Sequence, residues 1–180
     1  MRKILFFQWN AFMQKGIERA FTYLGMEYDT FYYIFKDWDK DDDFKEKLKK
    51  RLQSGKEEYE YVFSVNFSPL ISEVCNDLQV KYVSWVYDCP LHIRNKEPMK
   101  YSCNTIFFFD RIEAENYRNK GVNAYHLPLA GDTVAFTEKY KYVDMNMMHN
   151  EEKGIYTGFT ETDMCDVSLV GKLYHSDYAY

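Results

Sequence analysis

Four short apolar runs constrain this chain more than any other feature. They occupy residues 4–7 (Ile-Leu-Phe-Phe), 61–65 (Tyr-Val-Phe-Ser-Val), 82–87 (Tyr-Val-Ser-Trp-Val-Tyr) and 105–109 (Thr-Ile-Phe-Phe-Phe). Each is aromatic or β-branched, and continuous instead of alternating. A strand that is apolar on both sides must be covered on both sides, which is the condition of a parallel sheet flanked by helices. Weaker strands are predicted over 28–34 and 124–127.

Helical spacing fills the gaps. Ile17, Ala20, Phe21 and Leu24 share one helical face, and Gly25 follows as a C-terminal cap. Phe44, Leu48 and Leu52 form a stripe through the charged stretch 43–52. Pro69 can begin a helix that turns Ile71, Val74, Cys75 and Leu78 inward. Asp110 opens another, with Glu113 three residues on, so the pair reads as a capping box with Asp in the Ser/Thr role. Gly121 closes it. This alternation predicts an α/β fold: a Rossmann-like, doubly wound, mainly parallel sheet with helices on both faces.

The pattern fills residues 1–132, the expected N-terminal domain. Residues 133–165 are polar and weakly periodic, and read as a linker. Residues 166–171 (Asp-Val-Ser-Leu-Val-Gly) read as the first strand of a second domain, 166–180, that is expected to be truncated. A strand left without neighbours there offers a route to a homodimer.

Composition narrows the function classes. With 46% hydrophobic and 28% charged residues, the chain is globular. Aromatics reach 19%; core burial is their default use. The net charge of −5, with no basic face, argues against nucleic acid as a partner. Cys75, Cys89, Cys103 and Cys165 show neither a CxxC nor metal-type spacing, so no metal site is expected. Free cysteines without a signal segment point to a reducing cytoplasm. The run 4–7 is too short to cross a membrane.

Ligands of open α/β sheets bind beyond the carboxyl ends of the strands, where strand order reverses. The residues after the first strand, Gln8, Trp9, Asn10 and Phe12, include no glycine. A pyrophosphate therefore cannot approach the backbone there, and neither a dinucleotide nor a P-loop site is expected in this domain. Trp9 and Asn10 either line a cleft or pack on and cap the first helix. Asn66, Ser68 and Pro69 follow the third strand; Asp88, Pro90 and His92 follow the fourth. Asp88, beside buried aromatics, is the candidate general base, unless it only bonds its own turn. His92 is the alternative base, or an exposed loop histidine. Asp110 reads as a cap, and Arg111 as solvated or as an anion contact at that helix N-terminus. The acidic run 37–43 reads as a solvated helix start; it lacks the spacing and glycine of a calcium loop.

The chain resembles the N-terminal domain of the spore-maturation CgeB-like glycosyltransferases, a bacterial group. The resemblance rests on Ile4-Leu5-Phe6-Phe7-Gln8-Trp9-Asn10, on residues 66–75 (Asn-Phe-Ser-Pro-Leu-Ile-Ser-Glu-Val-Cys), and on Ser84-Trp85-Val86-Tyr87-Asp88-Cys89-Pro90. Phe107-Phe108-Phe109-Asp110, Leu127-Pro128-Leu129-Ala130 and residues 166–174 complete it. It implies a GT-B architecture of two Rossmann-like domains, the N-terminal one receiving the acceptor. The sugar nucleotide would be held by the other domain, so no cofactor is expected in this chain, which would be inactive alone. On that reading Asp88, or His92, deprotonates an acceptor hydroxyl. Trp9, Asn10, Asn66, Ser68 and Pro90 line the acceptor cleft.

Two rivals stand beside it. A non-catalytic flavodoxin- or receiver-like binding module fits the length, although a receiver would carry acids after the first strand and a phosphoacceptor Asp after the third. A hydrolase using Asp88 and His92 lacks a nucleophile elbow.

Overall fold

The computed structural model describes residues 2–11, 13–54 and 58–131, all within the unit Met1–Asp132. The expected linker 133–165, the expected strand in 166–180 and any dimer through it, together with Phe12 and Asp132, lie outside the described residues.

Six parallel strands form one sheet in the order β2-β1-β3-β4-β5-β6. They are β1 (Lys3–Gln8), β2 (Tyr28–Tyr32), β3 (Tyr59–Val65), β4 (Lys81–Val86), β5 (Asn104–Phe108) and β6 (Ala124–His126). Helices α1 (Gln14–Tyr23), α2 (Asp42–Ser54), α3 (Pro69–Leu78) and α4 (Arg111–Asn119) alternate with them. Between β4 and β5 runs only a single 3-10 turn, Glu97–Lys100. This is the expected Rossmann-like α/β fold.

Right-handed crossovers decide which face each helix takes. The chain steps outward from β1 to β2, then reverses past β1 to β3 and keeps that direction to β6. So α1 falls on one face and α2, α3 and α4 on the other. The alternation within β1 shows it: Ile4 and Phe6 pack with Ile17 and Phe21 of α1. Leu5 and Phe7 join Phe44, Leu48, Ile71 and Tyr117 on the opposite side. Both sets are nearly free of solvent, as continuous apolar strands require. On the α1 face, β4 to β6 present Trp85 and Phe107 half-buried, and Tyr125 and Leu127 exposed. The Trp85 indole Nε1 donates to the Leu127 carbonyl at 3.1 Å.

Helix starts follow from local chemistry. Ser68 caps α3, its Oγ accepting from the Ile71 N–H, with Pro69 in the first turn. Asp110 caps α4 through the Glu113 N–H at 2.8 Å. The expected capping box is only half formed, because the Glu113 carboxylate accepts from the Leu91 N–H instead, at 3.4 Å. Asn10 does not cap α1, which starts after Met13, a left-handed residue with no side-chain cap.

The acidic run starts α2 as expected, but it is not solvated throughout. Asp41 is buried and caps α2, one oxygen accepting from the Phe44 N–H at 3.0 Å and the other from the Lys36 N–H at 2.9 Å. Tyr33 Oη donates to the same carboxylate. Burial pushes the Asp41 carboxyl up, but these donors outweigh it and hold it below its ordinary value. A depressed carboxyl adds stability above its unfolded value, about 3.9, and loses it as the pH falls through the folded value. Asp41→Ala is expected to lower unfolding free energy in urea by roughly 1–3 kcal/mol at neutral pH. The deficit should shrink as the pH drops below about 4.

Candidate functional site

The order β2-β1-β3 makes the gap between β1 and β3 the switch point, where loops diverge and leave a crevice. Two residues there leave the strands in the left-handed region, Asn10 at φ 68° and Asn66 at φ 59°. Asparagine tolerates this conformation better than other non-glycine residues.

Asn66 is held from below by a directed chain of hydrogen bonds. Ser64 Oγ donates to the Asn66 carbonyl at 2.6 Å and lies 2.6 Å from Tyr82 Oη. Its one proton is thereby used, so Tyr82 donates to Ser64 and accepts from the Ser68 N–H at 3.0 Å. Tyr82 is buried, and burial pushes its hydroxyl pKa well up, so it stays a neutral donor.

Above, the Asn66 side chain works toward β4. Its Oδ1 accepts from the Tyr87 N–H at 2.7 Å, and its Nδ2 donates to Asp88 Oδ2 at 2.7 Å. Asp88 is exposed at the end of β4, with one carboxylate oxygen bound and aimed by an amide. The neighbouring Tyr87 hydroxyl is buried without a hydrogen-bond partner, and burial pushes it up to about 12.

Trp9 packs on the α2 side of the sheet, not on α1, because the residue after β1 alternates to that face. Its Nε1 donates to the Val65 carbonyl at 3.0 Å. Its ring meets Trp38 edge to face, centroids 4.6 Å apart. Asn10 Oδ1 accepts from Tyr32 Oη at 3.3 Å. The structure thus brings Trp9, Asn10, Asn66 and Asp88 to one strand-end edge.

Other expected site residues fall elsewhere. Ser68 is buried and spent on its cap, so it offers no surface to an acceptor. Pro90, after a cis peptide bond, and His92 are exposed on the loop beyond β4. Among the described residues no hydrogen bond joins His92 to Asp88.

Four residues of the edge escape a reading by sequence. Arg94 clasps the loop after β2 to the loop after β4, its Nη2 on Asp37 at 2.7 Å and its Nε on Asp39 at 2.8 Å. The Asp39 N–H, and then Arg94, hold the Asp37 carboxyl below its ordinary value. Between the two aspartates stands Trp38, 40% exposed. The one available signal was an aromatic set between two acids in a loop; the partner lies more than fifty residues away.

Two cavities, of about 380 and 460 Å³, lie away from this edge. The first is crossed by the α2–α3 ion pairs Lys45–Glu73 and Lys49–Asp77. The second sits at the amino end of the sheet, beside Arg2, Tyr59 and Lys81. Neither contains a strand-end residue. Among the described residues no group of three or more His, Cys, Asp or Glu could hold a metal ion, and no helix is long and apolar enough to cross a membrane.

No family model and no curated protein matches this chain. Among solved structures, a GDP-L-fucose synthetase from Naegleria fowleri is similar at 16% identity with a TM-score of 0.33. The match covers 71% of this chain and 49% of that one, so the chain spans about half that protein's length. A likeness at this level leaves function to be argued from the site.

Asn66 separates backbone from side-chain roles. Asn66→Ala is expected to lose both side-chain bonds and to strain the left-handed turn, lowering stability in urea by roughly 2–3 kcal/mol. Asn66→Gly loses the same bonds but fits the turn, so it should be about 1 kcal/mol less destabilising than the alanine variant.

Proposed function

We propose that this chain is the acceptor-side domain of a glycosyltransferase that moves a sugar from a sugar nucleotide to an acceptor hydroxyl. The observation that carries it is Asp88: an exposed carboxylate at a strand end, aimed by the Asn66 amide beside the switch-point crevice. Such a group can take a proton from a hydroxyl placed over the edge. As it does so, the acceptor oxygen bonds to the anomeric carbon, and the bond from that carbon to the nucleoside diphosphate breaks.

Support also comes from what the edge lacks. The chain leaves β1 through Trp9 and Asn10, with no glycine before Gly16, so the backbone cannot cradle a diphosphate. The donor is then held by a second domain, as the resemblance to the CgeB-like enzymes implies. The described cysteines, Cys75, Cys89 and Cys103, are free, which fits a cytoplasmic enzyme.

A non-catalytic protein-binding module is the second reading. The aromatic surface of Trp85, Phe107 and Tyr125 on β4 to β6 favours it. Turnover separates the two. In the full-length protein with its donor domain, nucleoside diphosphate release from sugar nucleotides is expected. Asp88→Asn should lower kcat by about a hundredfold or more, with the fold intact by circular dichroism. Unchanged kcat in that variant would remove Asp88 as the base.

A further inference from the structure

Trp38 is a large apolar side chain at the strand-end edge that is both exposed and held fixed. The residue is 40% accessible. It rests edge to face on Trp9 at 4.6 Å and leans on Phe35 at 4.7 Å. Residues on either side of it, Asp37 and Asp39, are both bound by Arg94. The Asn95 N–H adds a third tie, to Asp39 at 3.3 Å. Scattered exposed aromatics are ordinary on protein surfaces. An exposed tryptophan fixed by two ring contacts and a doubly bonded guanidinium is different, because its rotamer entropy has been spent before any ligand arrives.

The surroundings define what would stack there. Trp9, beneath it, is anchored to Val65 at the switch point, one residue before the asparagine that aims Asp88. Asn10 and the exposed Tyr32 hydroxyl supply neutral hydrogen-bonding groups nearby. Charge is the discriminator. Asp37, Asp39 and Asp88 stand on this edge, balanced by Arg94, which the first two bind, and by the exposed Lys36 and Lys40 on either side of Trp38. A phosphorylated or carboxylated ring would find no net opposite charge to offset its desolvation. A neutral ring with an apolar face and a rim of hydroxyls meets an apolar floor and neutral partners.

We propose that Trp38, set in place by the Arg94 clasp, is the stacking floor for a neutral sugar ring of the acceptor. This rests on the acceptor-side reading of the same edge, and adds to it the class of acceptor and the residue that selects it. Trp38 is thereby a specificity residue and Arg94 a positioning residue.

The chain's three tryptophans make the test direct. Trp9 and Trp38 lie at the edge; Trp85, bonded to Leu127, sits on the α1 face of β4 and serves as an internal control. The indole N–H signals of the ¹⁵N-labelled 180-residue chain are followed by NMR while methyl glycosides of glucose, galactose, mannose, rhamnose and N-acetylglucosamine are added. Glucose 6-phosphate and UMP are the charged comparisons. At least one neutral glycoside is expected to move the Trp38 and Trp9 signals, leave Trp85 in place and bind better than either charged probe. Trp38→Ala should weaken that binding about tenfold or more, and Arg94→Ala by several fold, with the Trp85 signal unchanged in both. The proposal is overturned if no glycoside moves Trp38 at about 100 mM, if Trp38→Ala binds as well as the parent, or if a charged probe binds best. Loss of turnover in Asp88→Asn without sugar binding at Trp38 would remove the stacking floor and leave the glycosyltransferase reading. Sugar binding at Trp38 without any turnover would do the reverse.

Discussion

A hydroxyl at the centre of a dry sheet must find its partners within the protein, and the Tyr82 hydroxyl finds two. It accepts from the backbone at Ser68 and donates to Ser64, which passes its own proton to the carbonyl of Asn66. Leaving such a group unpaired in the interior would cost about 1–3 kcal/mol. The turn from β3 into α3 is therefore held in one conformation from underneath. Everything proposed for the edge is built on that turn: the left-handed Asn66, the aim of Asp88, and the Val65 carbonyl that anchors Trp9.

The fold was legible in the sequence because its causes are local. Ile4-Leu5-Phe6-Phe7 is apolar on both sides, and the structure covers both sides. Phe44, Leu48 and Leu52 recur at helical spacing, and α2 buries all three. Asp110 and Pro69 mark helix starts through chemistry within one turn of the chain. The strand ends were likewise readable as places, which is why Trp9, Asn10, Asn66 and Asp88 could be named before their geometry was known.

What was not legible depends on partners far apart in the chain. Nothing near Asp37 announces Arg94, so the acidic run looked solvated when Asp37 and Asp39 are in fact tied across the edge. Ser68 has the composition of a site residue and the burial of a cap. Trp9 looked suited to α1, but strand alternation turns it to the other face, where Trp38 waits. Each error has one origin: a residue type indicates what bonds are possible, while the topology decides which partner is within reach.

The Arg94 clasp has a consequence for how this protein can change over time. It links a loop leaving β2 to a loop leaving β4, two segments that are neighbours only because the sheet is wound outward and then back. A deletion in one loop moves its aspartates away from the guanidinium, and a charge swap in one is repaired only by a matching swap in the other. The two loops are thus expected to vary together across descendants of this chain, in length and in sign, as a single inherited unit.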